Sequence, residues 1–227
     1  MRNSVRRQPF ASVEAANAIT PYPADRFLGL EQSLARLWIN SGLMRSDLKR
    51  GFGGLSGTAT GAPLDLRLQF LSTSNRQAPL ANHAIYIWHA DASGKYSVYN
   101  KPDTNYLRGI GVTDTSGRVR FSTVFPGTYR GRIPHIHFEV YRNLEALEAG
   151  AERIIRSRLL FPDHITRAVY SGSSCYVESL ACYKELNFER PVTEPRHDRR
   201  SVQMASVTSC GADTLRASMT AFLSTSK

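Results

Sequence analysis

Apolar and polar residues alternate along much of this chain. Between Pro63 and Ser72, Leu64, Leu66, Leu68 and Phe70 share one parity, and Asp65, Arg67 and Gln69 share the other. Successive side chains of a strand point to opposite faces, so the stretch predicts a half-buried strand. Ala84 to Ala90 repeats the pattern, with Tyr86 and Trp88 opposite Ile85, Ile87 and His89. Arg118 to Val124 sets Val119, Phe121 and Thr123 on one face, and Pro134 to Val140 sets Ile136, Phe138 and Val140 on one face. Val202 to Val207 and Thr214 to Ser224 read as closing strands, the latter through Leu215, Ala217, Met219, Ala221 and Leu223. Gly94, Gly117 and Gly127 mark turns.

Helical spacing occurs in three places. Leu30, Leu34, Leu37 and Trp38 predict a core-packing helix over Leu30 to Asn40. Leu144, Leu147, Ala151 and Ile155 predict one over Leu144 to Arg158, although Gly150 costs it about 1 kcal/mol against Ala. Ile165, Ala168 and Val169 predict a short helix after Pro162. Stretches 51–61, 72–78 and 184–200 are polar or Gly-rich and read as loops or surface excursions. Many short strands with a few short helices predict a mainly β, single-domain antiparallel sandwich over residues 21–227, preceded by a tail at 1–20.

Composition narrows the classes. The chain has 227 residues, 41% hydrophobic and 21% charged, a globular balance rather than a disordered one. No run approaches the ~20 apolar residues of a membrane span. Lys and Arg total 29 against 19 Asp and Glu, a formal charge of +10. The basic residues are scattered, and no motif aims them at a duplex, so no nucleic-acid partner is expected. Ser4-Val5-Arg6-Arg7 resembles a twin-arginine export signal, but no apolar segment follows, so the expectation is cytoplasmic. Three cysteines, Cys175, Cys182 and Cys210, fit reduced thiols better than a disulfide framework, with a Cys175–Cys182 pair as the alternative.

Candidate chemistry centres on Pro134-His135-Ile136-His137-Phe138-Glu139-Val140. His135, His137 and Glu139 share the face opposite the apolar one, and two imidazoles one strand repeat apart can bind one metal ion. Alone, such a pair also fits two polar residues facing solvent. Tyr129 lies six residues upstream and Tyr96 follows Ser93-Gly94. Two His and two Tyr form a nitrogen and anionic-oxygen set that suits Fe(III) better than Zn.

The segment Tyr86 to Arg142 is similar to the intradiol ring-cleavage dioxygenases. The resemblance rests on Trp88-His89-Ala90-Asp91-Ala92, Gly94, Tyr96, Leu107-Arg108-Gly109, Thr113-Asp114, Gly117, Phe121-Ser122-Thr123, Pro126-Gly127, Tyr129, Arg132 and His135-Ile136-His137-Phe138. It covers about a quarter of the chain closely. It implies a β-sandwich and one non-haem Fe(III) per chain on Tyr96, Tyr129, His135 and His137. It further implies cleavage of a catechol by O2 between its two hydroxyls, to a cis,cis-muconate-type diacid. Tyr129 would be the ligand that leaves when substrate binds. Arg132, three residues before His135, would stabilise negative charge on the substrate ring.

Two departures bear on the pocket. Thr20-Pro21-Tyr22-Pro23 lacks the glycine of the family's Gly-Pro-Tyr segment, which leaves Tyr22 a weakly matched substrate-binding candidate. Arg158 heads Arg158-Leu159-Leu160-Phe161 where the family has Gln, and a second cation there suits a carboxylated or phosphorylated catechol. No long amino-terminal helical domain of the catechol-dioxygenase type is seen, which points to the compact, protocatechuate-type branch, in which a homo-oligomer is possible. The rival readings are a cupin-like metalloenzyme using the two His and a non-enzymatic binding module. The first wants a Glu about four residues after the second His, whereas Glu139 is two residues on.

Overall fold

A computed structural model describes residues 39–186, 204–211 and 213–224. The tail, most of the Leu30 to Asn40 helix, Tyr22 and positions 202–203 lie outside the described residues. Eight strands form two four-stranded sheets. They are β1 (Pro63–Ser72), β2 (Ala84–His89), β3 (Arg108–Val112), β4 (Arg118–Val124), β5 (His135–Tyr141), β6 (Ile155–Leu160), β7 (Ser206–Ser209) and β8 (Leu215–Leu223). One sheet has the order β4-β1-β8-β7 and the other β3-β2-β5-β6. The described residues also form three short α-helices, α1 (Leu144–Glu148), α2 (Asp163–Gly172) and α3 (Val177–Lys184), a π-helical turn at Ile39–Leu43 and a 3-10 turn at Ser174–Tyr176.

The alternation places the core. Leu64, Leu66, Leu68 and Phe70 of β1, Ile85 and Ile87 of β2, and Ile136, Phe138 and Val140 of β5 share one buried cluster with Ala217, Met219, Ala221 and Leu223 of β8. Fully burying such a side chain contributes roughly 1.5–3 kcal/mol, so the matched parity of these strands sets the register. The sandwich fold follows as the pattern predicts. One pair departs from an all-antiparallel arrangement: β1 and β8 run parallel, with Leu64 opposite Leu215 and Ser72 opposite Leu223. The chain between them is long enough for a crossover, which is what a parallel pair requires.

The predicted helix over Leu144 to Arg158 is a correction. Asn143 caps α1 by accepting the Ala146 N–H at 2.8 Å. The helix then stops before Gly150, whose φ is +70°, and the chain re-enters the sheet as β6. Ile155 and Leu159 face the core on the period-two repeat, while Arg156 and Arg158 take the other face. Residues 177–184, for which the apolar pattern predicts no element, are helical. Cys175, Cys182 and Cys210 are free thiols. None of the described helices is long and apolar enough to cross a membrane.

Candidate active site

The outer face of the β3-β2-β5-β6 sheet carries the candidate residues. Antiparallel pairing sets Trp88 of β2 beside His137 of β5, and Arg158 of β6 on the other side of His137. The rings of Trp88 and His137 stack at 4.6 Å with an 8° interplanar angle, and Tyr86 stacks on Trp88 at 5.0 Å. Every residue of β5 is buried, because loops cover this face. His135 and His137 are therefore not two polar residues facing solvent.

The two imidazoles converge. His135 Nε2 lies 3.0 Å from His137 Nε2 and 3.3 Å from Tyr96 Oη. His135 Nδ1 donates to the Ile133 carbonyl at 2.7 Å, which fixes the tautomer and leaves the Nε2 lone pair facing the cluster. Tyr129 completes the group: its phenol hydrogen-bonds that of Tyr96, and its ring sits 5.9 Å from Tyr96 and 6.3 Å from His135. Tyr96, His135 and His137 are buried, and Tyr129 is half-buried. Among the described residues no three His, Cys, Asp or Glu side chains form a metal-holding group, so any metal here relies on the two phenols.

Electrostatics favour neutral side chains until a cation arrives. Burial, with Arg158 and Arg132 nearby, lowers the His135 imidazole to about 3. Burial and then His135 hold His137 well below its usual value. Burial and Tyr129 push the Tyr96 phenol up, opposed by Arg108 and Arg158. Nitrogen lone pairs unclaimed by protons beside phenols waiting to ionise make a donor set that fits a hard, highly charged cation.

The loops that hold the tyrosines are tied to each other. Asp91 accepts from Ser93 Oγ at 2.7 Å, from the Ser93 and Lys95 amides and from Lys101 Nζ at 2.6 Å, which shapes the turn leading to Tyr96. Its carbonyl accepts the Gly127 N–H at 3.1 Å, just ahead of Tyr129. A Cβ on Gly127 would meet that carbonyl oxygen at 2.2 Å, and one on Gly94 (φ +80°) would meet the Thr128 carbonyl at 2.1 Å. Ser179 of α3 rivets both loops: its hydroxyl donates to Ala92 O at 2.7 Å and accepts the Thr128 N–H at 2.9 Å. A cavity of about 490 Å³ opens against Tyr96 and Tyr129.

Arg158 and Arg132 both reach the site electrically. Arg158 is 3% exposed, on the face of its strand that bears His137, and its charge acts on Tyr96, His135 and His137. Arg132 is half-buried and ends the turn after Tyr129, donating its N–H to the Tyr129 carbonyl at 3.0 Å. Glu139 is turned away from the His pair: Tyr141 Oη donates to it at 2.9 Å and Arg156 Nε lies 2.8 Å from it. That engagement removes the carboxylate a cupin-type site would need.

Known proteins resemble this chain in sequence and in fold. A family described as Dioxygenase matches residues 44–145. The protocatechuate 3,4-dioxygenase beta chain of Burkholderia cepacia is 37% identical over 76 residues, 28% of this chain and 32% of that protein. Residues 44–145 are thus similar to dioxygenases, the matched relative being a protocatechuate 3,4-dioxygenase chain. The chain spans about a third of the length of that curated relative. Among solved structures, an intradiol ring-cleavage dioxygenase from Tetranychus urticae superposes with a TM-score of 0.69 at 21% identity, covering 91% of this chain and 95% of that one. Hydroxyquinol 1,2-dioxygenase from Pseudomonas putida DLL-E4 gives 0.55 at 15% identity, covering 92% and 68%. These similarities show the sandwich fold.

Within this dioxygenase segment the sequence reading left Arg108 without a role. It is 1% exposed, and it donates to Ser97 Oγ at 3.1 Å, Ser97 O at 2.9 Å and Tyr86 Oη at 3.0 Å. It thus grips the residue after Tyr96 while placing a buried positive charge near the phenol. An arginine between Leu107 and Gly109 in an apolar strand was the available signal.

Proposed function

We propose that this chain is a non-haem Fe(III) dioxygenase that cleaves a catechol between its two hydroxyls with O2, giving a cis,cis-muconate-type diacid. The observation that carries the reading is the convergence of His135 Nε2, His137 Nε2 and Tyr96 Oη, with the Tyr129 phenol bonded to Tyr96. Tyr96, Tyr129, His135 and His137 would hold one iron. Bound Fe(III) would lower the phenol pKa values and polarise an oxygen-bound aromatic toward reaction with O2.

The protein's own groups divide the remaining work. His135 and His137 are positioned by strand pairing, by the Ile133 carbonyl and by the Trp88 ring, so they offer a fixed edge. Tyr96 is equally fixed through Asp91 and Arg108. Tyr129 is the half-buried member, on a turn rather than a strand, so its side chain is the ligand that would exchange its bond to Tyr96 for a catechol proton taken on its phenolate oxygen. Arg132, at the end of that turn, is placed to face negative charge developing on the ring. Arg158 supplies a cation that suits a carboxylate on the substrate. The buried aromatic and aliphatic walls exclude bulk water.

Incubation of iron-replete protein with catechol, protocatechuate and hydroxyquinol under labelled O2 tests the reading. A diacid carrying label supports it. An extradiol semialdehyde, or protein that takes up no iron and stays colourless after aerobic loading, overturns it, the latter in favour of a binding module.

A further inference from the structure

The outer face of the other sheet concentrates positive charge. Asp65 of β1 is 6% exposed and sits beneath three arginines from three strands. Arg120 Nε of β4 lies 2.5 Å from its Oδ1, Arg67 Nη2 3.0 Å and Arg216 Nε of β8 2.9 Å from its Oδ2. One carboxylate thus anchors three cations. Strand register then puts Arg67 directly opposite Arg120. The shared carboxylate offsets their mutual repulsion, but one negative charge against three positive ones leaves the cluster net positive. Arg118, two residues along β4 and exposed, continues the row. The nearby Asp114 carboxylate is taken by the Ser116 and Arg118 amides at 2.8 and 2.9 Å.

The arginines border a trough of about 770 Å³, shared with Ser206, Ser218 and Thr220. The register extends the rows across the sheet: Arg120, Arg67, Ser218 and Ser206 form one, and Arg118, Gln69 and Thr220 the next. Cations one strand repeat apart, roughly 7 Å, match repeating anionic groups on a linear polymer. Hydroxyl and amide side chains between them match sugar hydroxyls. Among the described residues no aromatic side chain lines the trough, which leaves bases nothing to stack on there and disfavours single-stranded nucleic acid.

We propose that this face binds an acidic polysaccharide, its carboxylate or sulfate groups on Arg67, Arg118 and Arg120 and its hydroxyls on the Ser and Thr rows. The face belongs to the sheet that does not carry the His-Tyr cluster, so the proposal does not depend on the ring-cleavage reading.

The experiment is calorimetric titration of the full chain with polygalacturonate, heparin, neutral dextran and single-stranded DNA at low and high salt. Arg118→Gln leaves the Asp65 cluster intact, and Arg67→Gln leaves Asp65 two partners. Binding of polygalacturonate or heparin, weakened about tenfold by each substitution and weakened by salt, is the expected result. Preference between the two separates carboxylate from sulfate as the recognised group. Equal affinity for dextran, affinity indifferent to both substitutions, no binding to either acidic polymer, or tighter binding of DNA would each overturn it. Catalytic assays of the same variants should be unchanged.

Discussion

Replacing Ser179 by Ala removes a single hydroxyl distant in sequence from every candidate ligand, yet it should loosen the site. The side chain is fully buried and joins the two loops that end in Tyr96 and Tyr129. Without it, the Thr128 amide and the Ala92 carbonyl lose the Ser179 hydroxyl as partner. Each unsatisfied group costs about 1–3 kcal/mol, and partial relaxation brings the sum to roughly 2–4 kcal/mol. At about 2–4 °C per kcal/mol for a chain of this size, the melting temperature should fall by about 5–15 °C. The Asp91 turn still orders Tyr96, so the loss should fall mainly on the Tyr129 loop. Urea denaturation of the metal-free protein reads the stability. With iron held as proposed, the tyrosinate-to-iron absorption band reads the geometry and should shift or broaden. Ser179→Thr, which keeps the hydroxyl, should recover much of the band position. A Ser179→Ala variant within about 0.5 kcal/mol of the parent, with an unchanged band, would refute the rivet.

Other expectations follow from the same coordinates. His89 is buried between the Ala90 carbonyl and Thr123 Oγ1, and burial lowers its pKa from 6.5 to about 4. The unfolded chain therefore binds the proton first, and stability should fall by about 3 kcal/mol as pH drops from above 6.5 to about 4, then level off. Urea midpoints of parent and His89→Gln across that window should diverge in slope; equal slopes would exclude His89 as the cause. Arg132→Ala should lower kcat about 10²–10³-fold with a smaller rise in KM, because the charge it faces develops in the transition state. Steady-state kinetics in which KM alone changes would return Arg132 to ground-state binding. Arg158→Gln should raise KM for protocatechuate and spare neutral catechol, and equal losses on both substrates would remove the carboxylate contact.

The sandwich was readable because β1, β2, β4, β5 and β8 obey a two-residue repeat with one apolar face. β6 was not, since it carries half-buried Arg156 and buried Arg158, and two arginines in so short a run look like the charged side of a helix. Helix α3 inverts the usual rule: Val177 is exposed at 66% while Ser179 is fully buried. No local pattern marks a serine as the inward residue when its reason is a pair of loops from elsewhere in the chain. His135 and His137 declared their shared face through spacing alone. Their approach to Tyr96, 39 residues from His135, depends on glycine turns and the Asp91 network, which donor chemistry and resemblance to relatives suggested but no local pattern encodes.

The parallel seam between β1 and β8 also has a temporal meaning. Asp65 and Arg216 are 151 positions apart, whereas every strand of the sheet bearing the His-Tyr cluster lies between Ala84 and Leu160. During synthesis the cluster's sheet can therefore be complete while β1 still waits for its central neighbour. Closing a loop of that length is slow relative to hairpin formation. Until β8 arrives, β1 keeps an open edge, and the inner apolar face of the chemical sheet has only half its cover. The last strand thus acts as the late lock of the sandwich, and damage within residues 215–223 would be felt at the His-Tyr face without touching it.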